Sequence, residues 1–147
     1  MSFFNGLNIN ASGLALNRLQ MDVSSTNIAN VNTNTTPEGG PYKAKTVQFS
    51  ENLMAHQADL NDPSSSLNSP SYGVKVTGIT ANQNVKRTYD PTNPNADANG
   101  YVAQSNVNLA DEMVKMIQAQ RSYEANVSAT EMNKSILQKA LQISLNG

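Results

Sequence analysis

Apolar residues recur at the spacing of a helix seam near both ends of this chain. Leu7, Leu14, Met21 and Ile28 fall every seventh residue on one side, and Leu109, Met113, Met116, Tyr123, Val127, Leu137 and Leu141 follow an alternating four-and-three spacing on the other. Such spacing keeps apolar side chains facing a partner helix, as in a coiled coil. A chain that commits both terminal regions to helical seams is built to assemble rather than to catalyse.

The first helix is expected over Asn5–Val31, ending in the polar run from Asn30 to Thr36, with Pro37 forbidding continuation. Gly13 costs about 1 kcal/mol against alanine inside such a helix, so its turn is expected to fray unless a neighbour packs on it. The last helix is expected from Leu109 to about Leu145, with Asn108 as its N-cap and Asp111 and Glu112 in its acidic first turn. At a rise of about 1.5 Å per residue these helices are roughly 38 and 55 Å long. The longer one therefore outruns the shorter by about a dozen residues, which need neighbours. Gln120, Thr130 and Lys134 interrupt its seam, and polar seam positions fix register and partner number at the expense of stability.

The middle of the chain lacks helical spacing. Alternation predicts strands over Tyr42–Phe49, Tyr72–Thr77 and Val85–Tyr89, with Gly78 as a bulge or break and Tyr101–Ala103 as a strand stub. A short helix is expected over Ser50–Ala58. A flexible loop near 59–71 follows, rich in Ser, Asn and Pro. The expected fold class is therefore α+β. It divides into a terminal helical domain of 1–36 plus 107–147 and a small β-rich middle domain of 37–106.

Composition narrows the function. Only 38% of the 147 residues are hydrophobic, and 21 are asparagine, which favours caps and turns over regular structure. The core is expected to be thin, with apolar surface left for a partner chain. The net charge of -1 and the lack of a basic run argue against nucleic-acid binding. No run of about eighteen apolar residues predicts membrane insertion, and the first residues lack the basic start and apolar run of a cleaved secretory signal. Cysteine is absent, which removes disulfides and thiolate metal sites.

The candidate chemical constellations are weak. His56 is the single histidine, so a transition-metal site is not expected, and no nucleophile-elbow sequence accompanies it. Asn95-Ala96-Asp97-Ala98-Asn99-Gly100 resembles the opening of a calcium loop, but its first position is Asn and its twelfth is Asn106 rather than Glu. A turn built on Asx hydrogen bonds is the expectation there. Asp111, Glu112, Glu124 and Glu131 read as solvated helix carboxylates, and Met113, Met116 and Met132 as helix packing. No cofactor and no catalytic residue is expected.

Two segments carry a family resemblance. Ser24-Ser25-Thr26-Asn27-Ile28-Ala29-Asn30-Val31-Asn32-Thr33 resembles the N-terminal signature of bacterial flagellar rod and hook proteins, with Asn27 and Asn30 flanking Ile28 and Ala29 where the helix ends. Glu112-Met113-Val114 and Arg121-Ser122-Tyr123-Glu124-Ala125-Asn126-Val127 resemble the matching terminal helix of that family. Gly39-Gly40-Pro41-Tyr42-Lys43, Gly73-Val74-Lys75-Val76, Tyr89-Asp90-Pro91, Ala96-Asp97 and Gly100-Tyr101-Val102 are similar to the proximal-rod branch. Ser105 departs from the proline that similar proteins usually carry there.

The resemblance implies a structural subunit of the basal-body rod, the drive shaft that crosses the periplasm. It implies terminal helices paired antiparallel in a coiled coil, and Asn27 and Asn30 suited to capping the helix end and touching a neighbouring subunit. The implied partners are copies of itself, other proximal and distal rod subunits, a rod-base adaptor and the flagellar type III export apparatus, which passes such chains without a cleaved signal. From periodicity alone, a soluble coiled-coil adaptor or export chaperone is the competing reading. A periplasmic peptidoglycan-acting enzyme is suggested only by compartment.

Overall fold

A computed structural model describes residues 3–53 and 71–146 of the chain. It is an α+β fold in the order α1 (Phe3–Ala29), β1 (Lys45–Leu53), β2 (Ser71–Ala81), β3 (Lys86–Tyr89), β4 (Tyr101–Gln104) and α2 (Leu109–Asn146). Asn108 starts α2 as its side-chain type dictates: its Oδ1 accepts from Ala110 N–H at 3.1 Å, and its carbonyl accepts from Glu112 N–H at 3.0 Å. At the end of α1 the Asn30 N–H donates back to the Thr26 and Asn27 carbonyls. Its side chain donates to Thr26 O at 2.9 Å, so Asn30 closes the helix.

The chain divides into two compact units. One comprises Met1–Arg18, Phe49–Thr77 and Gln120–Gly147, the other Leu19–Gln48 and Gly78–Ala119. Both draw on helix and strand.

In the first unit the helices approach through residues with little or no side chain. A Cβ at Gly13 would lie 2.7 Å from Asn126 Nδ2, and one at Gly6 would lie 3.5 Å from Asn133 Nδ2. Seven residues up α1 correspond to seven residues down α2, so the pair is antiparallel with heptad spacing. Asn126 is thus the neighbour that packs on Gly13, and α1 runs through Gly13 unbroken. Leu16 and Asn17 are buried here. Gly73 meets the same helix: it has φ +97°, a Cβ would collide with Ser12 Oγ and lie 3.1 Å from Ile9 Cα, and the next N–H, Val74, donates to Ser12 Oγ at 3.1 Å.

In the second unit β3 and β4 form an antiparallel ribbon, with Thr88 opposite Val102 and Tyr89 opposite Tyr101. Alternation places Val102 inward at 2% exposure and the two tyrosines outward, their rings edge to face at 5.4 Å. Pro41, Val47, Val102 and Ala119 are its buried apolar residues, beside buried Ser24, Asn27, Ser105 and Glu112. Among the described residues the core is thin, as composition predicts, and polar groups make up much of it.

β1 pairs with β2 in a second two-stranded ribbon. Lys43 with Gln83, Ala44 with Asn82 and Gln48 with Thr80 are hydrogen-bonded, numbers rising on one side and falling on the other, so its entrance is antiparallel. Three local expectations are corrected. The first strand lies later than Tyr42–Phe49. Ser50–Leu53, expected to begin a helix, extends β1 instead, because pairing with β2 supplies backbone partners that a short polar helix lacks. Gly78 does not interrupt β2, which runs through it; the glycine that needs its freedom is Gly73. Residues 54–58 of the expected short helix, including His56, and 59–70 of the expected loop lie outside the described residues.

Gly73→Ala is expected to destabilise the chain by about 1–3 kcal/mol, since the left-handed backbone and the Ile9 contact both oppose a side chain. Urea denaturation would show a lowered midpoint; an unchanged midpoint would contradict the packing of β2 on α1.

Candidate assembly interface and its asparagine anchor

Asn27, the first asparagine of the helix-end motif, is completely buried. Its carboxamide has two donor and two acceptor positions, and all four are used. Nδ2 donates to Lys45 O at 2.8 Å and to Glu112 Oε2 at 2.9 Å. Oδ1 accepts from Lys45 N–H at 2.9 Å and from the Tyr42 hydroxyl at 3.0 Å. By bonding both the N–H and the C=O of Lys45, the side chain imitates a peptide group and acts as a one-residue strand beside the start of β1. Asn27 thereby ties the end of α1, the Tyr42 loop, β1 and the first turn of α2 together. Its four bonds lie within the chain, and none of them caps the end of α1 as the resemblance implied. Asn30 does the capping.

Glu112 is 4% exposed. Burial pushes its carboxyl upward, but hydrogen bonds from Lys115, Asn27 and Ser24, with the Lys115 charge, outweigh that and hold it below the ordinary glutamate range. The Lys115 ammonium lies 2.6 Å from Oε1. Tyr42 moves the other way, raised first by burial and then by the Glu112 carboxylate. Lys45 Nζ lies 5.8 Å from the Tyr42 ring centroid, a cation–π contact on the same cluster.

A second carboxamide grips the adjoining residue. Asn106 Oδ1 accepts from Ala44 N–H at 2.7 Å, and its Nδ2 donates to the carbonyls of Asn82 and Asn84 at 3.1 and 2.6 Å. Side chains at two asparagines therefore hold the backbone of residues 44 and 45. Apolar periodicity gives no sign of this cluster. A visible signal was the seven-residue spacing of Glu112, Ala119, Asn126 and Asn133, a polar and small row beside the apolar one.

The residues expected in the seam divide by exposure. Leu7, Leu14, Met21 and Ile28 are half-buried along α1, and Met116, Tyr123, Val127 and Leu137 are half-buried along α2. Leu109, Met113 and Leu141 are about half-exposed, at 45%, 51% and 56%. Of the remaining motif residues, Ala29 is exposed while Asn30 and Asn126 are half-buried. On the second unit's part of α2, Val114 and Ile117 join Leu109 and Met113 in the open; on the first unit's part, Met132, Ile136 and Ile143 join Leu141. The row turned inward is Glu112, Met116 and Ala119 in one unit and Tyr123, Asn126, Thr130, Asn133 and Leu137 in the other. Much of the helix's apolar content thus faces away from its own chain. Single exposed apolar residues are ordinary, but a succession at i, i+4 and i+8, as in Leu109, Met113 and Ile117, presents a stripe of the kind that another chain covers.

Asn27→Asp removes both donors and sets a carboxylate against Glu112, so it is expected to cost on the order of 3–5 kcal/mol, read as a loss of urea stability. Retention of wild-type stability would contradict the anchor. Glu112 gives a pH test. Its carboxyl is depressed in the folded chain, so the unfolded chain binds more protons as the solution is acidified. Its contribution is complete above the ordinary carboxylate range and is lost as pH falls through the folded value. Glu112→Gln should flatten that part of the stability profile.

Comparison with known proteins finds relatives along nearly the whole chain. Residues 98–143 match the family model described as flagellar basal body rod FlgEFG protein C-terminal. The flagellar basal-body rod protein FlgC of Bacillus subtilis (strain 168) is 40% identical over 97% of this chain and 99% of its own length. The FlgC proteins of Borreliella burgdorferi and Salmonella typhimurium (strain LT2) are 39% and 36% identical, each over 97% of this chain and 98% of their own. Similar to these proteins along nearly its whole length, this chain belongs to the FlgC family of flagellar basal-body rod proteins.

Proposed function

We propose that this chain is a structural subunit of the proximal rod, carried out of the cytoplasm by the flagellar type III apparatus and polymerised in the periplasm into the shaft that transmits torque. The observation that carries the reading is the outward apolar stripe of α2, Leu109, Met113 and Ile117, beside a polar and small row turned toward the chain itself. Burying that stripe between subunits would supply the association energy, roughly 25 cal/mol for each Å² of apolar surface removed from water. The partners are copies of the chain and other rod subunits, with a rod-base adaptor at one end. In this reading 1–36 and 107–147 form the inner helical layer of the rod, 37–106 its outer part, and the chain contributes no catalytic step.

The test is complementation of a strain lacking this protein. Met113→Asp with Ile117→Asp replaces exposed side chains, so the monomer should keep its helicity by circular dichroism. Rod assembly and swimming should be lost, because a buried unpaired charge costs several kcal/mol. Leu14→Asp and Val127→Asp should abolish motility as well. Normal swimming by the exposed-face double variant would refute the assignment of this face to subunit contact.

A further inference from the structure

The segment that resembles a calcium loop is a candidate for a different chemistry. Asp97, Asn99, Gly100 and Tyr101 form the turn that returns the chain from β3 to β4. Asp97 Oδ1 accepts from Asn99 N–H at 2.8 Å and from Tyr101 N–H at 2.9 Å. Gly100 N–H donates to Asp97 O at 2.9 Å, and Gly100 O accepts from Asp90 N–H at 2.9 Å. The bonds from Tyr101 and Asn99 N–H hold the Asp97 carboxyl below its usual range. The carboxylate is thus engaged in closing the turn.

Gly100 is dictated by geometry. Its φ is +79°, and a Cβ there would lie 2.9 Å from Tyr89 Cε2 and 3.3 Å from Pro91 Cβ. The ring of Tyr89 rests against the bare α-carbon, which is also how it reaches Tyr101 edge to face. A side chain is therefore forbidden immediately after Asn99. That same bareness removes the steric shield from the Gly100 backbone nitrogen. Asn99 is itself exposed.

We infer that Asn99 is a self-modification site, converting to isoaspartate and aspartate in the folded chain. Base removes the Gly100 amide proton, and the nitrogen attacks Asn99 Cγ. The Cγ–Nδ2 bond breaks and Nδ2 takes up the released proton to leave as ammonia, forming a five-membered succinimide. Water then opens the ring at either carbonyl, giving aspartate or isoaspartate, with no oxidant or reductant involved. Ring closure requires Gly100 N–H to release Asp97 O, so the rate reports the opening of this turn. The isoaspartate product puts one more carbon into the backbone of a turn whose geometry is fixed by five hydrogen bonds, Asp97 N–H to Tyr101 O being the fifth. Both products place a carboxylate beside that of Asp97. The chain contains its own control: Asn5-Gly6 is the same dipeptide held in the first turns of α1, where helical backbone angles keep amide and carboxamide apart.

The experiment incubates the purified full chain at mildly alkaline pH and follows tryptic peptides Thr88–Lys115 and Met1–Arg18 by mass spectrometry, with isoaspartate scored by enzymatic methylation. Asn99 is expected to convert several-fold faster than Asn5 or Asn95, and Asn99→Gln, which cannot close a five-membered ring, should abolish the signal from the first peptide. Conversion of Asn99 only in a urea-denatured control would overturn the inference. So would a rate no greater than that of Asn5 in the folded chain, or persistence of the methylation signal on the Thr88–Lys115 peptide in Asn99→Gln; Asn146-Gly147, the third such dipeptide, lies on a separate peptide.

Discussion

A single carboxamide with no free hydrogen-bonding position holds the second unit together. Asn27 is the group on which α1, the Tyr42 loop, β1 and α2 converge, and each of its four bonds satisfies a polar group that burial would otherwise penalise by about 1–3 kcal/mol. A fully satisfied buried network specifies one arrangement, because any slip of α1 along its neighbours strands several donors and acceptors at once. An apolar residue in the same place would tolerate sliding. The side chain that comes nearest, glutamine, is one methylene too long to meet Lys45 N–H and C=O from the same backbone position.

The polar anchor also explains how so few buried apolar residues suffice. Among the described residues, Leu16 in one unit and Pro41, Val47, Val102 and Ala119 in the other are a small hydrophobic complement. Close approach through Gly13 and Gly73, together with the carboxamide grips of Asn27 and Asn106, carries much of the specificity that a leucine seam would otherwise provide. The apolar side chains released from that duty occupy the outer stripe of α2. A relative lack of core and an excess of outward apolar surface are thus two sides of one allocation, and both suit a subunit completed by neighbours.

Much of the architecture was legible from residue patterns. The two helices appear within two residues of their expected bounds, Asn108 caps α2, and the four strands fall near the alternating segments. Ser50–Leu53 was misread because strand pairing overrides local tendency, and Gly78 because a glycine in a strand does not say whether its freedom is used. The signature residues Asn27 and Asn30 were identified, but their division of labour was not. Sequence shows that two asparagines sit three apart; it does not show that one turns inward to meet Lys45 and Glu112 while the other closes the helix. Tyr42, Asn106 and Glu112 were missed as members of a cluster because they lie far apart in sequence and share no period with each other.

That distance has a kinetic meaning. Asn27 and Glu112 are 85 residues apart, and the Asn27–Lys45 bonds span only 18. Contacts of long sequence separation require large loops to close before they contribute, so they form late. A chain that is delivered from one end, whether by a ribosome or through a narrow channel, presents Asn27 and its near partners long before Glu112. Until the start of α2 emerges, the carboxamide of Asn27 lacks its bond to Glu112 and one of its donors stays open. The chain therefore carries a built-in delay: the anchor of its first helix is completed only when its last helix begins to arrive.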